Sequence, residues 1–238
     1  MKTSFKNLIA GLTLTLGLSV VAHAESYIGE VQFFADGYGA EKYLPADGRL
    51  LPMLQYPALF SIVGCDFGGD CRTNFALPNV APMKDPNGGE VKAFMAVGTG
   101  MFPSGAANKT FGETVLMSHN IDNRENPALR RDEEVIYQTL NGPDLVAYTA
   151  TSGTDKLCEY EDFTSQVKLM ASLKRYDDGI MAKGQILPVR DNELLFSLLG
   201  FIFGGNNRDT FGIPNLTSAA PDGVQAYICT KGAYPIHP

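Results

Sequence analysis

Tryptophan is absent from this chain, and histidine occurs only three times, at His23, His119 and His237. So few imidazoles narrow the catalytic options, because a serine or cysteine triad needs a histidine as its base. The signatures G-x-S-x-G, H-E-x-x-H, the phosphate-binding P-loop and the dinucleotide glycine fingerprint are all missing. No cofactor and no metal is called for. Basic residues are also scarce, 19 against 26 acidic ones for a net charge of −7. That balance argues against nucleic acid and against anionic membrane as partners.

Long apolar runs are lacking everywhere except at the N-terminus. Lys2 and Lys6 precede an apolar stretch from Leu8 to Val21, followed by the small-x-small triplet Ala22-His23-Ala24. Basic, apolar and small segments in that order read as a secretory signal peptide, and the apolar part is too short for a membrane span. Residues 1–24 are therefore expected to be removed, leaving a secreted or periplasmic protein that is not integral to a membrane. Without Lys2 and Lys6 the basic count falls to 17 and the net charge to −9.

Cysteine is sparse but even in number. Cys65, Cys71, Cys158 and Cys229 all lie in the exported part, where disulfides are favoured. Cys65 and Cys71 are separated by a flexible Asp-Phe-Gly-Gly-Asp stretch and can close a small ring, after which Cys158 and Cys229 would pair over a long range. Spacing alone leaves the connectivity open. A zinc site would need a second close ligand pair, which the sequence does not offer.

What the chain has in quantity is glycine, 25 residues, and proline, 14 residues, arranged in a repeat. Gly48 to Val80 aligns without a gap to Gly184 to Leu216 at an offset of 136, with 14 of 33 positions identical. The shared residues include Gly68, Gly69, Arg72, Phe75 and Pro78, matched by Gly204, Gly205, Arg208, Phe211 and Pro214. With one more gap the match extends from Ala93-Phe94 and Gly100-Met-Phe-Pro103 to Ala226-Tyr227 and Gly232-Ala-Tyr-Pro235.

Each copy has the same local logic. Pro57 to Gly64 opens with proline and closes with glycine, as a short helix does. The second copy is expected to use Asp191 or Asn192 as a side-chain cap and Gly200 as the stop. Two turns of helix do not persist alone, so Leu59, Phe60, Val63, Leu195, Phe196 and Leu199 must pack on something. Phe-Gly-Gly then forces a tight turn, and Phe-x-x-Pro-Asn reads as a short extended piece. Arg72 and Arg208 are expected to satisfy turn carbonyls beside the glycines, with ligand contact as the alternative. Phe67 and Phe203 are expected in the core.

Short strands are predicted at Glu30–Phe34, Glu113–Met117, Glu134–Tyr137, Leu145–Thr149 and Val167–Leu173. The charged run Asn123–Glu134 reads as a solvated loop or short exposed helix. The fold class is α+β: two tandem units of short strands and very short helices, residues 25–103 and 167–238, flanking a β-rich insert at 104–166.

The ordered motifs Ile-Gly-Glu-Val-Gln-Phe-Phe-Ala (28–35), Ala-Asp-Gly-Arg-Leu-Leu-Pro (46–52), Ala-Leu-Phe-Ser-Ile-Val-Gly (58–64) and Phe-Gly-Gly-Asp-Cys-Arg-Thr-Asn-Phe-Ala-Leu-Pro-Asn (67–79) resemble the phage tail-collar family, which includes bacterial microcystin-dependent-protein relatives. Cys71 stands where the family usually has glycine. The resemblance spans Tyr27–Pro103 and, more loosely, Ala182–Pro235. It implies a non-catalytic, tail-fibre-like role in surface attachment or assembly, commonly as a trimer, with a glycan or an envelope protein as the ligand. Some phage members bind metal through a His-x-His pair after a lead-in like Gly112–Ile121. Here Asn123-Arg124-Glu125 follows instead, and that feature does not carry over.

Two other readings compete. A secreted carbohydrate-active enzyme would use two carboxylates, with Asp132, Glu133 and Glu134 the conspicuous acids. A calcium-dependent glycan-binding module would use Asp66–Asp70 or Asp85–Glu90, although turn chemistry explains both equally well.

Overall fold

The computed structural model describes residues 26–98, 109, 113–121, 124, 126–158, 162–171, 176 and 178–236. The expected signal peptide, the Gly100–Pro103 stretch, Asn123, Glu125 and His237 lie outside the described residues. Among the described residues fourteen strands and two α-helices follow in chain order, with one 3-10 turn at Val189–Asp191: β1 (Glu30–Phe34), β2 (Tyr43–Pro45), β3 (Leu50–Pro52), α1 (Pro57–Val63), β4 (Asn74–Ala76), β5 (Met83–Lys84), β6 (Glu90–Ala96), β7 (Thr114–Met117), β8 (Leu129–Tyr137), β9 (Leu145–Ala150), β10 (Gln166–Met170), β11 (Gly179–Met181), β12 (Ile186–Pro188), α2 (Glu193–Leu199), β13 (Thr210–Gly212) and β14 (Gln225–Cys229). The fold is mostly strand, with little helix.

Ten strands form one sheet whose main path is β11-β14-β10-β1-β7-β9-β8, with β6 on the other side of β1 carrying β2 and β5. Two small ladders, β3–β4 and β12–β13, stand outside it. The repeat is visible in the pairing. Leu51 faces Phe75 as Leu187 faces Phe211. Tyr43 faces Ala96 as Gly179 faces Cys229. Val31 faces Met95 as Val167 faces Ile228. The offset is 136 residues up to the Pro-Asn pair and 133 after it, because the loop entering β14 is shorter than the loop entering β6.

β1 and β10 also pair with each other, antiparallel, Phe33 to Val167 and Phe34 to Gln166. These two strands are equivalent under the repeat, so they meet about a local pseudo-twofold axis, with Gln32 and Lys168 in equivalent places. β7 breaks the symmetry. On the side of β1 that receives β10 at Phe33 and Phe34, β7 takes Glu30 and Val31, so the sheet forks there.

Period-two alternation explains why these strands are central. In Glu30-Val-Gln-Phe-Phe and Gln166-Val-Lys-Leu-Met every residue is buried. Val31, Phe33, Val167 and Leu169 enter the largest apolar core, while Glu30, Gln32, Gln166 and Lys168 point the other way into a buried polar layer. The helices contribute Leu59 and Val63, and Leu195 and Leu199, to the same core. Each such burial stabilises by about 1.5–3 kcal/mol, which holds elements too short to persist alone. Phe60 packs tilted against Phe75 and Phe196 against Phe211, both at 5.4 Å between centroids. Phe67 and Phe203 are buried, as expected.

Two local expectations need correction. Asn192 precedes α2 but makes no cap bond; its amide donates to the Pro188 carbonyl instead. The charged run is neither loop nor helix over its second half, because Leu129–Glu134 belongs to β8, where Arg130 and Arg131 pair with Thr149 and Tyr148 of β9. β8 is the outermost strand, so its five consecutive charges, Arg130 to Glu134, can reach solvent. Its register shifts between Arg131 and Ile136.

Candidate functional site

Three places carry polar chemistry: the two repeated turns, the fork between β1, β7 and β10, and an open cleft beside β8.

The turns are organised by a residue that the repeat comparison passed over, because it is Asp70 in one copy and Asn206 in the other. Asp70 Oδ1 accepts from the backbone N–H groups of Arg72 (2.9 Å), Thr73 (2.7 Å) and Asn74 (3.0 Å). Asn206 Oδ1 accepts from those of Arg208, Asp209 and Thr210, each at 3.0 Å. One side-chain oxygen thus closes each turn. Hydrogen bonds from Thr73 and the backbone hold the Asp70 carboxyl well below the usual carboxylate range. Between organiser and arginine the chain turns left-handed, at Cys71 (φ 56°) and Asn207 (φ 57°). Asparagine tolerates that conformation, and Cys71 is held in it by the bond to Cys65.

Gly69 and Gly205 are required by close approach. A Cβ on Gly69 would lie 2.6 Å from Phe75 Cα, and one on Gly205 would lie 2.3 Å from the Thr210 carbonyl oxygen. Phe75 and Phe211 seat the turn on the core, and Pro78 and Pro214 end the strand that leaves it. Arg72 and Arg208 behave otherwise than expected. Both are exposed, and neither guanidinium makes a hydrogen bond or ion pair among the described residues; only their backbone N–H groups serve the turn.

Each copy receives a glycine-bearing loop against its buried phenylalanine. Gly142 packs on Phe67 and Gly89 on Phe203. Asn141 donates to the carbonyls of Phe67 (3.0 Å) and Leu77 (2.9 Å) and accepts from Asn79 N–H at 2.6 Å. At the equivalent position Asn215 N–H donates to Asp85. Asp85 also accepts from Asn87 N–H at 2.6 Å. One carboxylate in each stretch considered for calcium, Asp70 in the first and Asp85 in the second, is thereby engaged in backbone hydrogen bonds. Among the described residues no three His, Cys, Asp or Glu side chains are grouped to hold a metal ion.

The disulfides are Cys65–Cys71 and Cys158–Cys229. The first is a local staple in the first copy. The second ties the segment before β10 to the end of β14, beside Tyr176 and Tyr227.

At the fork, five charged side chains are almost wholly buried: Glu30, Lys109, Glu113, Asp162 and Lys168. Lys109 bonds Glu30 at 2.5 Å, and Lys168 reaches Asp162 at 2.9 Å and Glu113 at 3.5 Å. Glu30 also accepts from Tyr27 N–H and from Gln32, and Gln32 accepts from Gln166 at 3.1 Å. Burial opposes the charge on both lysines, but the carboxylates outweigh it: Glu30 then Glu113 for Lys109, Glu113 then Asp162 for Lys168. Both remain ammonium, held above their ordinary values. Burial raises the Tyr43 hydroxyl far out of the titrating range, Glu30 adding to it. These groups are locked to one another, which suits a joint better than proton transfer. Sequence reading missed this network, although polar residues alternating with Val31, Phe33, Val167 and Leu169 announced it.

The cleft, about 580 Å³, lies between β8–β9 and the Asp222–Val224 loop. Arg130, Asp132, Glu134 and Asp222 line it over a floor that includes Val135 and Ala150. Glu133 is not among the lining residues, so the three adjacent acids do not converge. Asp132 accepts from Thr149 Oγ1 at 3.2 Å and from Glu134 N–H at 3.1 Å. His119, on the bend after β7, is half-buried beside Gly29, and burial lowers it to about 4, so it is neutral at neutral pH.

Two segments of the chain, residues 29–82 and 177–221, match the family model for the Phage Tail Collar Domain. No curated protein and no solved structure gives a match.

Proposed function

Starting from a chain that carries two segments of the phage tail collar family, we propose that it is an exported, non-catalytic protein acting in surface attachment or assembly, with tandem units flanking a β-rich insert. The collar is a structural domain of phage tails, and fold alone does not fix function. The observation that carries the reading is the duplicated turn. In both copies the buried and bonded residues build the loop, while Arg72 and Arg208 stand free at its surface as ready contact groups for a glycan or an envelope protein. The disulfides agree with a secreted or periplasmic location, and among the described residues no helix is long and apolar enough to cross a membrane. The lines of the turn motif, Gly68, Gly69, Phe75 and Pro78 with Gly204, Gly205, Phe211 and Pro214, then serve as scaffold.

The test is light scattering during size exclusion on the oxidised protein without residues 1–24, followed by binding to intact cells of the source. A trimer or larger assembly that binds cells, with binding lost in the Arg72→Ala/Arg208→Ala double variant, supports the reading. A monomer that binds no cells and hydrolyses glycans instead favours the alternative, a secreted carbohydrate-active enzyme working in the cleft lined by Asp132, Glu134 and Asp222.

A further inference from the structure

Among the described residues, one buried side-chain polar atom has no protein partner: the hydroxyl of Thr114. Thr114 is only 5 % exposed and opens β7, the strand that splits β1 from β10. Its neighbours Val115, Leu116 and Met117 are apolar and buried, and a valine of the same shape would suit the strand as well. A hydroxyl kept in such a place calls for an acceptor or donor other than the protein.

The place offers one. Thr114 lines a small cavity at the fork, about 20 Å³, together with Glu30, Gln32, Glu113, Gln166 and Lys168. That volume holds a single water, for which one probe sphere of about 10–15 Å³ suffices. Its lining is mixed, with Val31, Phe33, Leu116, Val167 and Leu169 completing it, and its polar members offer donors and acceptors to one small molecule. The 3.5 Å separation of Lys168 from Glu113 is long beside the 2.9 Å to Asp162 and suits bridging by a small molecule. We infer that the fork is a binding site for one buried water, held by the Thr114 hydroxyl and the charged walls of β1, β7 and β10. It completes the polar joint at which β1, β7 and β10 meet.

The sign of one substitution decides the matter. In a dry cavity, Thr114→Val removes an unsatisfied hydroxyl and the full-length oxidised protein melts at the same temperature or higher. With the water in place, the same change breaks its anchorage, and the melting temperature falls by about 2–4 °C, as for one lost buried hydrogen bond in a chain of this length. Thr114→Ser keeps the hydroxyl and should melt close to the parent. A drop for valine with rescue by serine supports the site. An unchanged or raised melting temperature for valine, or an equal loss for serine, overturns it. A crystal structure gives the direct readout: density within hydrogen-bond distance of Thr114 Oγ1 is expected, and a Thr114 hydroxyl bonded to protein with no such density refutes the inference.

Discussion

The two copies of the repeat build one turn with different chemistry, and the differences lie where each copy meets its surroundings. The first copy organises its turn with a charged Asp70, adds the Cys65–Cys71 staple and accepts its covering loop, Asn141-Gly142, from the segment between the copies. The second copy uses neutral Asn206, has Phe201 and Asn207 where the cysteines would stand, and is covered by Asp85–Gly89 from the first copy. Its staple is Cys158–Cys229, long in range. The central strands differ in the same manner, with Glu30 and Gln32 in one and Gln166 and Lys168 in the other. Geometry is retained, while charge and cross-links are reassigned so that the copies complement each other.

The sharpest way to break this complementarity is to make the strands alike. Lys168→Gln gives β10 the residue found in β1 and removes the ammonium that buried Glu113 and Asp162 share. We expect a loss of about 3–5 kcal/mol in denaturant titration. Next comes the unequal pair of staples. Loop-closure entropy assigns about 4.4 kcal/mol to the bond spanning 71 residues and about 2.2 kcal/mol to the one spanning six. Cys158→Ser/Cys229→Ser should therefore lower stability about twice as much as Cys65→Ser/Cys71→Ser in the same titration. The covering loops should rank together, with Asn141→Ala and Asp85→Ala each costing about 1–3 kcal/mol, since each strands a partly buried N–H.

Smaller still is the pH effect. The Asp70 carboxyl has its folded value below its unfolded one, so its contribution is present above the ordinary carboxylate range and fades as pH falls through and below it. Asp70→Asn should make the first turn like the second and remove part of the loss of melting temperature below about pH 4. The smallest effect belongs to Arg72→Ala and Arg208→Ala, within about 0.5 kcal/mol of the parent. A large loss at either would restore the view that the guanidinium braces the turn.

How much of this was readable beforehand depends on whether the signal was local. Pro57 and Gly64 mark α1, and Glu30-Val-Gln-Phe-Phe marks β1, because helix punctuation and strand alternation are short-range. The Phe-Gly-Gly turn was visible for the same reason. Asp70 and Asn206 escaped notice because matching looked for identity, whereas the turn requires only a side-chain oxygen two residues before the arginine. Asn192 misled in the opposite sense: it is a good capping type, but Pro188 offers its amide a competing carbonyl. The fork and the covering loops depend on pairs such as Glu30 with Lys109 and Asn141 with Leu77, separated by 79 and 64 residues. No window of sequence contains both partners.

β8 has a consequence for how the chain avoids aggregation. A long strand at the rim of a ten-stranded sheet is a template on which extended segments of other chains can accrete, as in fibrils. Arginines and acids in unbroken succession, with the ladder thrown out of register just after Arg131, make that rim a poor template. Any growth of the molecule into a larger object is therefore steered away from backbone annealing and towards contacts between finished surfaces, which can stop at a defined number of copies.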